Sequence, residues 1–175
     1  MRKIRHLTAF ALFIFSVAAV SDSTDYADMS VSELREKATE IHPSGLYMLA
    51  TKLFSGGQKD EAVTWFYIGQ LRFRYYLKAN PNLDKSGDPA LFSSLQYVVG
   101  TEINEYAGGS PDDWVCAVEK ALEWDAANPN LFSPKEINEA AYLESVTGLK
   151  ELAEYVKENK ELIRKERTNN GLENR

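Results

Sequence analysis

Residues 59–79 read KDEAVTWFYIGQLRFRYYLKA and predict one helix that is apolar on two opposite sides. At about 100° per residue, one side carries an ordinary core stripe formed by Ala62, Phe66, Gly69, Phe73 and Leu77. The opposite side is apolar as well, and it carries Tyr67, Ile68, Leu71 and Tyr75, with Trp65 and Tyr76 on the flanks. Such a helix either lies at the centre of a bundle or leaves one aromatic face open as a groove.

The same helix places two arginines, Arg72 and Arg74, among these aromatic residues. A guanidinium group in apolar surroundings needs carboxylate partners, because an unpaired buried charge is strongly destabilising. We expect these partners in the loop and helix that follow, where the available carboxylates are Asp84, Asp88, Glu102 and Glu105. If the aromatic face is instead open, it forms a binding groove whose residues are Tyr67, Leu71, Arg72, Arg74 and Tyr75.

The sequence on both sides of this helix is rich in helix start and stop signals and has almost no strand signals. A capping box opens a first helix, and further helices are bounded by caps, prolines and glycines at Ser30-Val31-Ser32-Glu33, His42-Pro43, Gly56-Gly57, Asp88-Pro89, Gly108-Gly109, Ser110-Pro111, Asn128-Pro129 and Ser133-Pro134. Gly148 is expected to kink or break the sixth helix. The predicted fold is therefore all-α, a compact array of about six to seven helices in antiparallel hairpins.

The first residues have the pattern of a secretory signal peptide. Three bases, Arg2, Lys3 and Arg5, precede the apolar run LTAFALFIFSVAAV over residues 7–20. This run is short for a helix that must cross a hydrocarbon core of about 30 Å, although an uncleaved anchor formed by the same residues is the alternative. Small residues at the end of the run allow cleavage after Ala19 or after Ser21.

The whole chain then divides into four predicted parts. Its 44% hydrophobic and 26% charged residues suit one ordinary globular domain. We expect a cleavable signal peptide over residues 1–21, a flexible leader over 22–29, a single helical domain over 30–167 and a frayed tail over 168–175. The predicted location is outside the cytoplasm, either in the periplasm or in the medium.

Cys116 is the only cysteine of the chain, so no intrachain disulfide can form and the exported domain must be stabilised by its core. An exported chain of this size without disulfides is more typical of a bacterial periplasm than of animal secretions. Cys116 falls on the polar side of the fifth predicted helix. It is either an incidental thiol or one that forms an intermolecular disulfide.

The charge balance disfavours two classes of partner. Lys and Arg number 20 against 26 Asp and Glu, which gives a formal net charge of −6. Removal of the predicted signal peptide, which holds three of the bases and no acid, leaves 17 bases, 26 acids and a net charge of −9. Nucleic acid and anionic membranes both require a basic surface. We therefore expect a protein partner with a basic surface, no nucleic acid, and no membrane contact after signal cleavage.

No catalytic, metal-binding or cofactor motif is recognisable, and neither a metal nor a cofactor is expected. His42 is the only histidine after the predicted signal, and its place before Pro43 is typical of a capping or packing residue. Glu102, Glu105 and the acidic run Asp112-Asp113 are the carboxylates available for general acid–base chemistry, although solvated or capping carboxylates are much commoner than catalytic ones.

One hairpin has the pattern of a known repeat. Residues 46–69, LYMLATKLFSGGQKDEAVTWFYIG, resemble one unit of the tetratricopeptide repeat or of the related Sel-type repeats. The matching positions are Leu46, Leu49, Ala50 and Leu53 in the first helix and Ala62, Phe66 and Gly69 in the second. Arg74 stands where the family has its closing proline, and a weaker trace, AVEKALEWDAANP, covers residues 117–129. The resemblance implies paired antiparallel helices that bind a protein or peptide in a groove and perform no chemistry.

These observations favour an exported, non-catalytic helical protein that binds another protein, with residues 44–79 at its centre. An immunity or inhibitor protein that acts against a secreted effector fits the small size, the acidity and the export signal. Two alternatives stay open. One is a periplasmic enzyme that acts on the cell wall through Glu102 or Glu105, and the other is a small-ligand binder that uses Tyr67, Arg74 and Tyr75 in the groove of the helix over 59–79.

Overall fold

A computed structural model describes residues 25–175 of the chain, so the predicted signal peptide over 1–21 lies outside the described residues. Within residues 25–175 the structure has seven α-helices, a short 3₁₀ helix at Lys135–Asn138 before the sixth of them, and no strand. The helices are α1 (Val31–Glu36), α2 (Pro43–Ser55), α3 (Lys59–Ala79), α4 (Asp88–Gly108), α5 (Pro111–Ala127), α6 (Glu139–Glu158) and α7 (Lys160–Asn169). The predicted all-α fold is confirmed.

The helix starts follow the local signals of the sequence closely. The Ser30 hydroxyl accepts a hydrogen bond from the Glu33 amide at 3.2 Å, and the Glu33 carboxylate accepts one from the Ser30 amide at 2.8 Å, which completes the predicted capping box. Gly57 ends the α2 turn with a φ of +83°, a conformation that favours glycine. The hairpin between α2 and α3 is therefore set by residues at its own turn.

Two boundaries near α6 differ from expectation. The helix begins at Glu139, because the Asn138 side chain accepts a hydrogen bond from the Ala141 amide at 3.1 Å and so caps the helix there. Gly148 lies inside α6 without ending it. The helix ends at Glu158 instead, and Asn159 separates α6 from α7. The expected break at Gly148 was therefore wrong, since one glycine lowers helix stability by only about 1 kcal/mol.

Helix α3 lies at the centre of the molecule and packs against α2, α4, α5 and α6. Its two apolar sides are both buried, and the residues that are 2% exposed or less include Phe66, Tyr67, Ile68, Leu71, Phe73 and Tyr75. The approach of α2 is close at Gly69, where an added Cβ would lie 3.1 Å from Tyr47 and 3.2 Å from Leu46. Of the two interpretations of the α3 sequence, the structure has the central helix and not the open groove.

A buried ion pair joins α3 to α5. Arg72 is 2% exposed and Asp125 is 1% exposed, and the Arg72 Nε donates to the Asp125 Oδ1 at 2.8 Å. The remaining guanidinium nitrogens donate to the carbonyl oxygens of Ala38 and Pro129, each at 3.0 Å. The guanidinium group is thus held by a carboxylate and by two loops that are distant in sequence.

The second oxygen of the Asp125 carboxylate is also engaged. It accepts a hydrogen bond from the Tyr142 hydroxyl at 3.0 Å and lies 3.1 Å from the Lys135 Nζ. Both carboxylate oxygens therefore have charged or hydroxyl partners, as a buried charge requires.

The expected partners of Arg72 were wrong. The sequence predicted a partner among Asp84, Asp88, Glu102 and Glu105, whereas Asp125 follows Arg72 by 53 residues. The prediction failed because Arg72 projects from the side of α3 that faces α5 and α6. Helix α4 packs on another side of α3. Arg74 is exposed and needs no buried carboxylate.

Both ends of the described chain make contacts with the helical domain. In the predicted flexible leader, the Tyr26 hydroxyl accepts a hydrogen bond from the His42 amide at 3.2 Å, and the Ala27 carbonyl accepts one from Lys52 at 2.7 Å. In the predicted frayed tail, the Arg175 amide donates to the Gly109 carbonyl at 2.6 Å. Residues 25–29 and 168–175 therefore pack on the helical domain.

No helix in residues 25–175 combines the length and apolar character of a membrane span.

The Arg72–Asp125 pair predicts a large stability effect. Replacing Asp125 with Asn should lower the free energy of unfolding by about 3–5 kcal/mol, because it leaves a buried guanidinium without its counter-charge. The matched control is Glu144→Gln, which breaks the exposed contact of Glu144 with Lys78 and should cost less than about 1 kcal/mol. Urea titration followed by circular dichroism measures both values, and equal losses would contradict this account of the core.

Candidate functional site

The five residues predicted to line a groove on α3 do not form an open surface. Four of them, Tyr67, Leu71, Arg72 and Tyr75, are 1–2% exposed, and Arg74 is the exposed one among the five. The structure therefore corrects the groove prediction, since α4, α5 and α6 cover the sides of α3 from which the four residues project.

The buried tyrosine hydroxyls of α3 are occupied by neighbours inside the chain. The Tyr67 hydroxyl donates to the Asn104 side chain and accepts from the Trp114 indole, both at 2.7 Å. Burial raises the pKa of Tyr67 far above its ordinary value, so the hydroxyl stays neutral. The Tyr75 hydroxyl donates to the Pro134 carbonyl. These contacts stabilise the core, and they disfavour the small-ligand hypothesis built on Tyr67, Arg74 and Tyr75.

A cleft of about 470 Å³ lies between α3 and α5. We call it the α3–α5 cleft, and its lining residues are Asp60, Glu61, Thr64, Trp65, Ile68, Asp113, Cys116, Ala117, Lys120 and Trp124. Asp60 and Asp113 lie together at one end, and Trp65 contacts Trp124 towards the other. The cleft thus combines an aromatic wall with an acidic end.

The aromatic wall is held rigidly by the core. The rings of Trp65 and Trp124 meet edge to face, with centroids 5.1 Å apart. The Arg72 guanidinium lies over the Trp124 ring at 4.8 Å, and the Trp65 indole donates to the Glu61 carboxylate at 3.1 Å. The buried ion pair therefore positions one wall of the cleft.

The carboxylates of the cleft differ in how far the chain itself neutralises them. Glu61 accepts two hydrogen bonds from Arg35, at 2.7 and 2.8 Å, so its charge is already compensated. Asp60 accepts from the Tyr106 hydroxyl at 2.8 Å, while Asp113 is exposed in the first turn of α5. Among the described residues that line the cleft, three are acidic and Lys120 is the one cation. The cleft is consequently suited to cationic groups.

Cys116 is exposed on the wall of the same cleft. It lies three residues after Asp113 and four residues before Lys120, so all three side chains project from one side of α5. An intermolecular disulfide through this thiol stays a prediction. The sequence pattern predicts Cys116 on the polar side of α5, but no local signal indicates that α3 forms the opposite wall of the cleft.

The two glutamates of the enzyme hypothesis lie elsewhere. Glu102 and Glu105 are exposed on α4 and line an open cleft of about 540 Å³ beside the last residues of the chain. Three cations, Lys59, Arg167 and Arg175, line the same cleft. In residues 25–175 no three His, Cys, Asp or Glu side chains are grouped so that they could hold a metal ion. This open setting does not favour acid–base catalysis over ordinary solvated carboxylates.

A second exposed surface lies on α4. Residues 89–101 contain no charged side chain, and Tyr97 and Val98 are 79% and 68% exposed. None of these residues is among those that line the α3–α5 cleft. We refer to this surface as the uncharged face of α4.

His42 caps and packs α2, in agreement with the sequence prediction. Its Nδ1 accepts a hydrogen bond from the Ser44 amide at 3.2 Å, and its ring lies edge-on to Phe73, Tyr76 and Phe132. Burial among these rings lowers the pKa of His42 below its ordinary value, and the carboxylate of Asp88, 3.4 Å from Nε2, opposes this with a smaller effect. The folded protein therefore favours the neutral imidazole.

Comparison with known proteins gives a partial match to an uncharacterized protein of Haemophilus influenzae, with 32% identity over 102 residues. The matched stretch is 57% of this chain and 39% of that protein, so the chain spans about two fifths of the length of the curated relative. No protein-family profile and no solved structure matches the chain.

The lowered pKa of His42 predicts a pH-dependent stability. The unfolded chain binds a proton to His42 more readily than the folded chain does, so stability should fall as the pH falls below about 6.5. His42→Asn keeps a side-chain acceptor at the cap and cannot titrate. Urea unfolding at about pH 7.5 and about pH 5 should show that the variant gains stability relative to the wild type at the lower pH. Parallel pH profiles would contradict this prediction.

Proposed function

We propose that this is an exported, non-catalytic helical protein that binds another protein, and that the α3–α5 cleft receives a cationic side chain from a basic surface of that partner. The observation that carries the proposal is the pairing, within one cleft of about 470 Å³, of a tryptophan wall with an excess of carboxylates. An acidic partner group would be repelled by the same carboxylates.

The chemistry of the cleft matches a long basic side chain. Its aliphatic stem can pack on Trp124, while its charged end reaches the exposed carboxylate of Asp113. A cation beside an aromatic ring gains about 0.5–2 kcal/mol, with the larger value where water is excluded. Asp113 is the residue that we expect to contribute most, because within residues 25–175 it forms no ion pair.

The charge of the whole chain supports the same class of partner. Residues 22–175 carry a net charge of −9, which accelerates association with a basic protein and makes the association sensitive to salt. Within this proposal, the specific role is that of an immunity or inhibitor protein against a secreted effector, located in the periplasm or the medium. The proposed location depends on the signal-peptide pattern of residues 1–21.

We also propose a relationship between the α2–α3 hairpin and the tetratricopeptide-like repeats. Two features support it, the left-handed turn at Gly57 and the close helix contact at Gly69. Helix α3 continues to Ala79 past the position of the closing proline, so the hairpin would be an isolated unit rather than part of a regular array.

Affinity capture followed by site variants tests the function. The tagged chain without residues 1–21, incubated with a periplasmic extract at low salt, should retain a basic protein in a stoichiometric complex. Asp113→Asn should weaken that complex about tenfold in calorimetry, through loss of one charge-assisted contact, and added salt should weaken it further. Tyr97→Ser, on the uncharged face of α4, is the control and should leave the affinity unchanged.

Two outcomes would contradict the proposal. One is the absence of any stoichiometric partner at low salt. The other is a complex that Tyr97→Ser weakens and Asp113→Asn does not, which would assign the interface to the uncharged face of α4 instead of the α3–α5 cleft.

A further inference from the structure

We infer that Tyr106 and Asp60 form a guanidinium-binding subsite at the acidic end of the α3–α5 cleft, that Arg175 of this chain fills it, and that an arginine of the basic partner replaces Arg175 on binding. This inference rests on the proposed function and names the side chain that the site recognises. It also makes residues 170–175, which we call the tail, an internal competitor of the partner.

The contacts of Arg175 define the subsite. Its guanidinium carbon lies 3.6 Å from the centroid of the Tyr106 ring. One terminal nitrogen donates to the Tyr106 hydroxyl at 2.6 Å and lies 3.8 Å from the Asp60 Oδ1, and the other donates to the Tyr106 carbonyl at 3.2 Å. An aromatic face, a hydroxyl, a carbonyl and a carboxylate therefore surround one cation.

This arrangement suits arginine better than lysine. The guanidinium group is planar, so it can lie on a ring and still direct several N–H donors at acceptors around the rim of the ring. A lysine ammonium is a point charge that cannot stack in this way. The Tyr106 hydroxyl donates to Asp60 at 2.8 Å, which leaves its oxygen free to accept the hydrogen bond from Arg175.

The subsite is continuous with the α3–α5 cleft. The crevice beneath Arg175 is lined in part by Asp60, Asp113 and Ala117, and the same three residues line the cleft. A partner segment with neighbouring basic residues could therefore place one side chain in the cleft and an arginine on Tyr106. Because Arg175 and the partner arginine need the same ring face, they cannot bind there together.

The tail is held weakly enough to be replaced. Beyond α7 it forms a turn at Gly171, with a φ of +73°, and Gly171, Glu173, Asn174 and Arg175 are all exposed. Hydrogen bonds from Arg167 to the Glu173 carbonyl and from Asn174 to the Arg164 carbonyl join it to α7. Exposed hydrogen bonds can be exchanged for hydrogen bonds to water and contribute about 1 kcal/mol each or less, so residues 170–175 can open locally without disturbing the helices. Tyr106 and Asp60, by contrast, belong to the long helices α4 and α3.

Binding of synthetic basic peptides tests the subsite. The probes are a peptide of alternating arginine and glycine, its lysine counterpart, and Nα-acetylarginine amide as a free guanidinium compound. Arg175→Ala should bind the arginine peptide about fivefold more tightly than the wild type, because it removes the competing conformation. The increase in affinity of Arg175→Ala over the wild type should be absent for the lysine peptide. For the arginine peptide it should disappear when Asp60→Asn is combined with Arg175→Ala. Arg164→Ala, which alters an arginine of α7 that is bonded to Asp112 and Glu161, is the matched control and should bind like the wild type.

Release of the tail is measured separately in the wild-type protein. Saturation with the arginine peptide should move the amide NMR signal of Arg175 to its random-coil position, since the bond of this amide to the Gly109 carbonyl would break. Equal peptide affinities of the wild type and Arg175→Ala, or an Arg175 signal that does not move, would overturn the inference. If Asp113→Asn still weakens binding of the captured partner, the proposed function remains supported even when the inference about Arg175 is overturned.

The free guanidinium compound shows whether the guanidinium group that binds the subsite belongs to a small molecule or to an arginine of a protein partner. A gain in Arg175→Ala that Nα-acetylarginine amide shows and the arginine peptide does not would assign the subsite to a small molecule, and it would overturn replacement by a partner.

Discussion

The structure depends on one constraint, the burial of a permanently charged guanidinium group in its central helix. Arg72 has to be neutralised where it lies, and Asp125 does so from α5. Its remaining donors are satisfied by the loops at Ala38 and Pro129, which connect other helices of the bundle. Such a pair adds little net stability over apolar residues, but it strongly penalises any arrangement in which the charge is left alone. It therefore specifies how α3, α5 and the two loops meet.

The same constraint shapes the candidate site. Because Arg72 lies over the ring of Trp124, the ion pair in the core also positions the aromatic wall of the α3–α5 cleft. Most aromatic residues of α3 that first suggest a binding groove are buried in the core, and the side chains of α3 that line the cleft include Trp65 and residues near the start of the helix. Asp60 at that end of α3 and Asp113 on α5 are held close together by the pairing of the two helices. The recognition proposed for this end of the helices therefore relies on charge and on the tryptophan wall rather than on a hydrophobic groove.

The tail adds a competing group to this acidic end. Arg175 makes with Tyr106 the kind of contact that we propose for an arginine of the partner, so in this proposal the chain covers one of its own binding positions. Such a contact is favourable in a chain with a formal net charge of −6, because Arg175 compensates the charge of Asp60 while no partner is bound. Competition of this kind lowers by one common factor the affinity of every ligand that needs the same face of the Tyr106 ring.

Sequence alone predicts the helical class and the bounds of α3 at residues 59 and 79, because caps, prolines and glycines act through bonds within a few residues of one another. It also predicts that Arg72 requires a carboxylate, since that requirement follows from burial of a charge. Only the tertiary structure shows that Asp125 is the partner, that the aromatic face of α3 is closed, and that the tail reaches Tyr106. The Arg72–Asp125 and Tyr106–Arg175 contacts join residues 53 and 69 positions apart, and no local signal specifies which distant surfaces will meet.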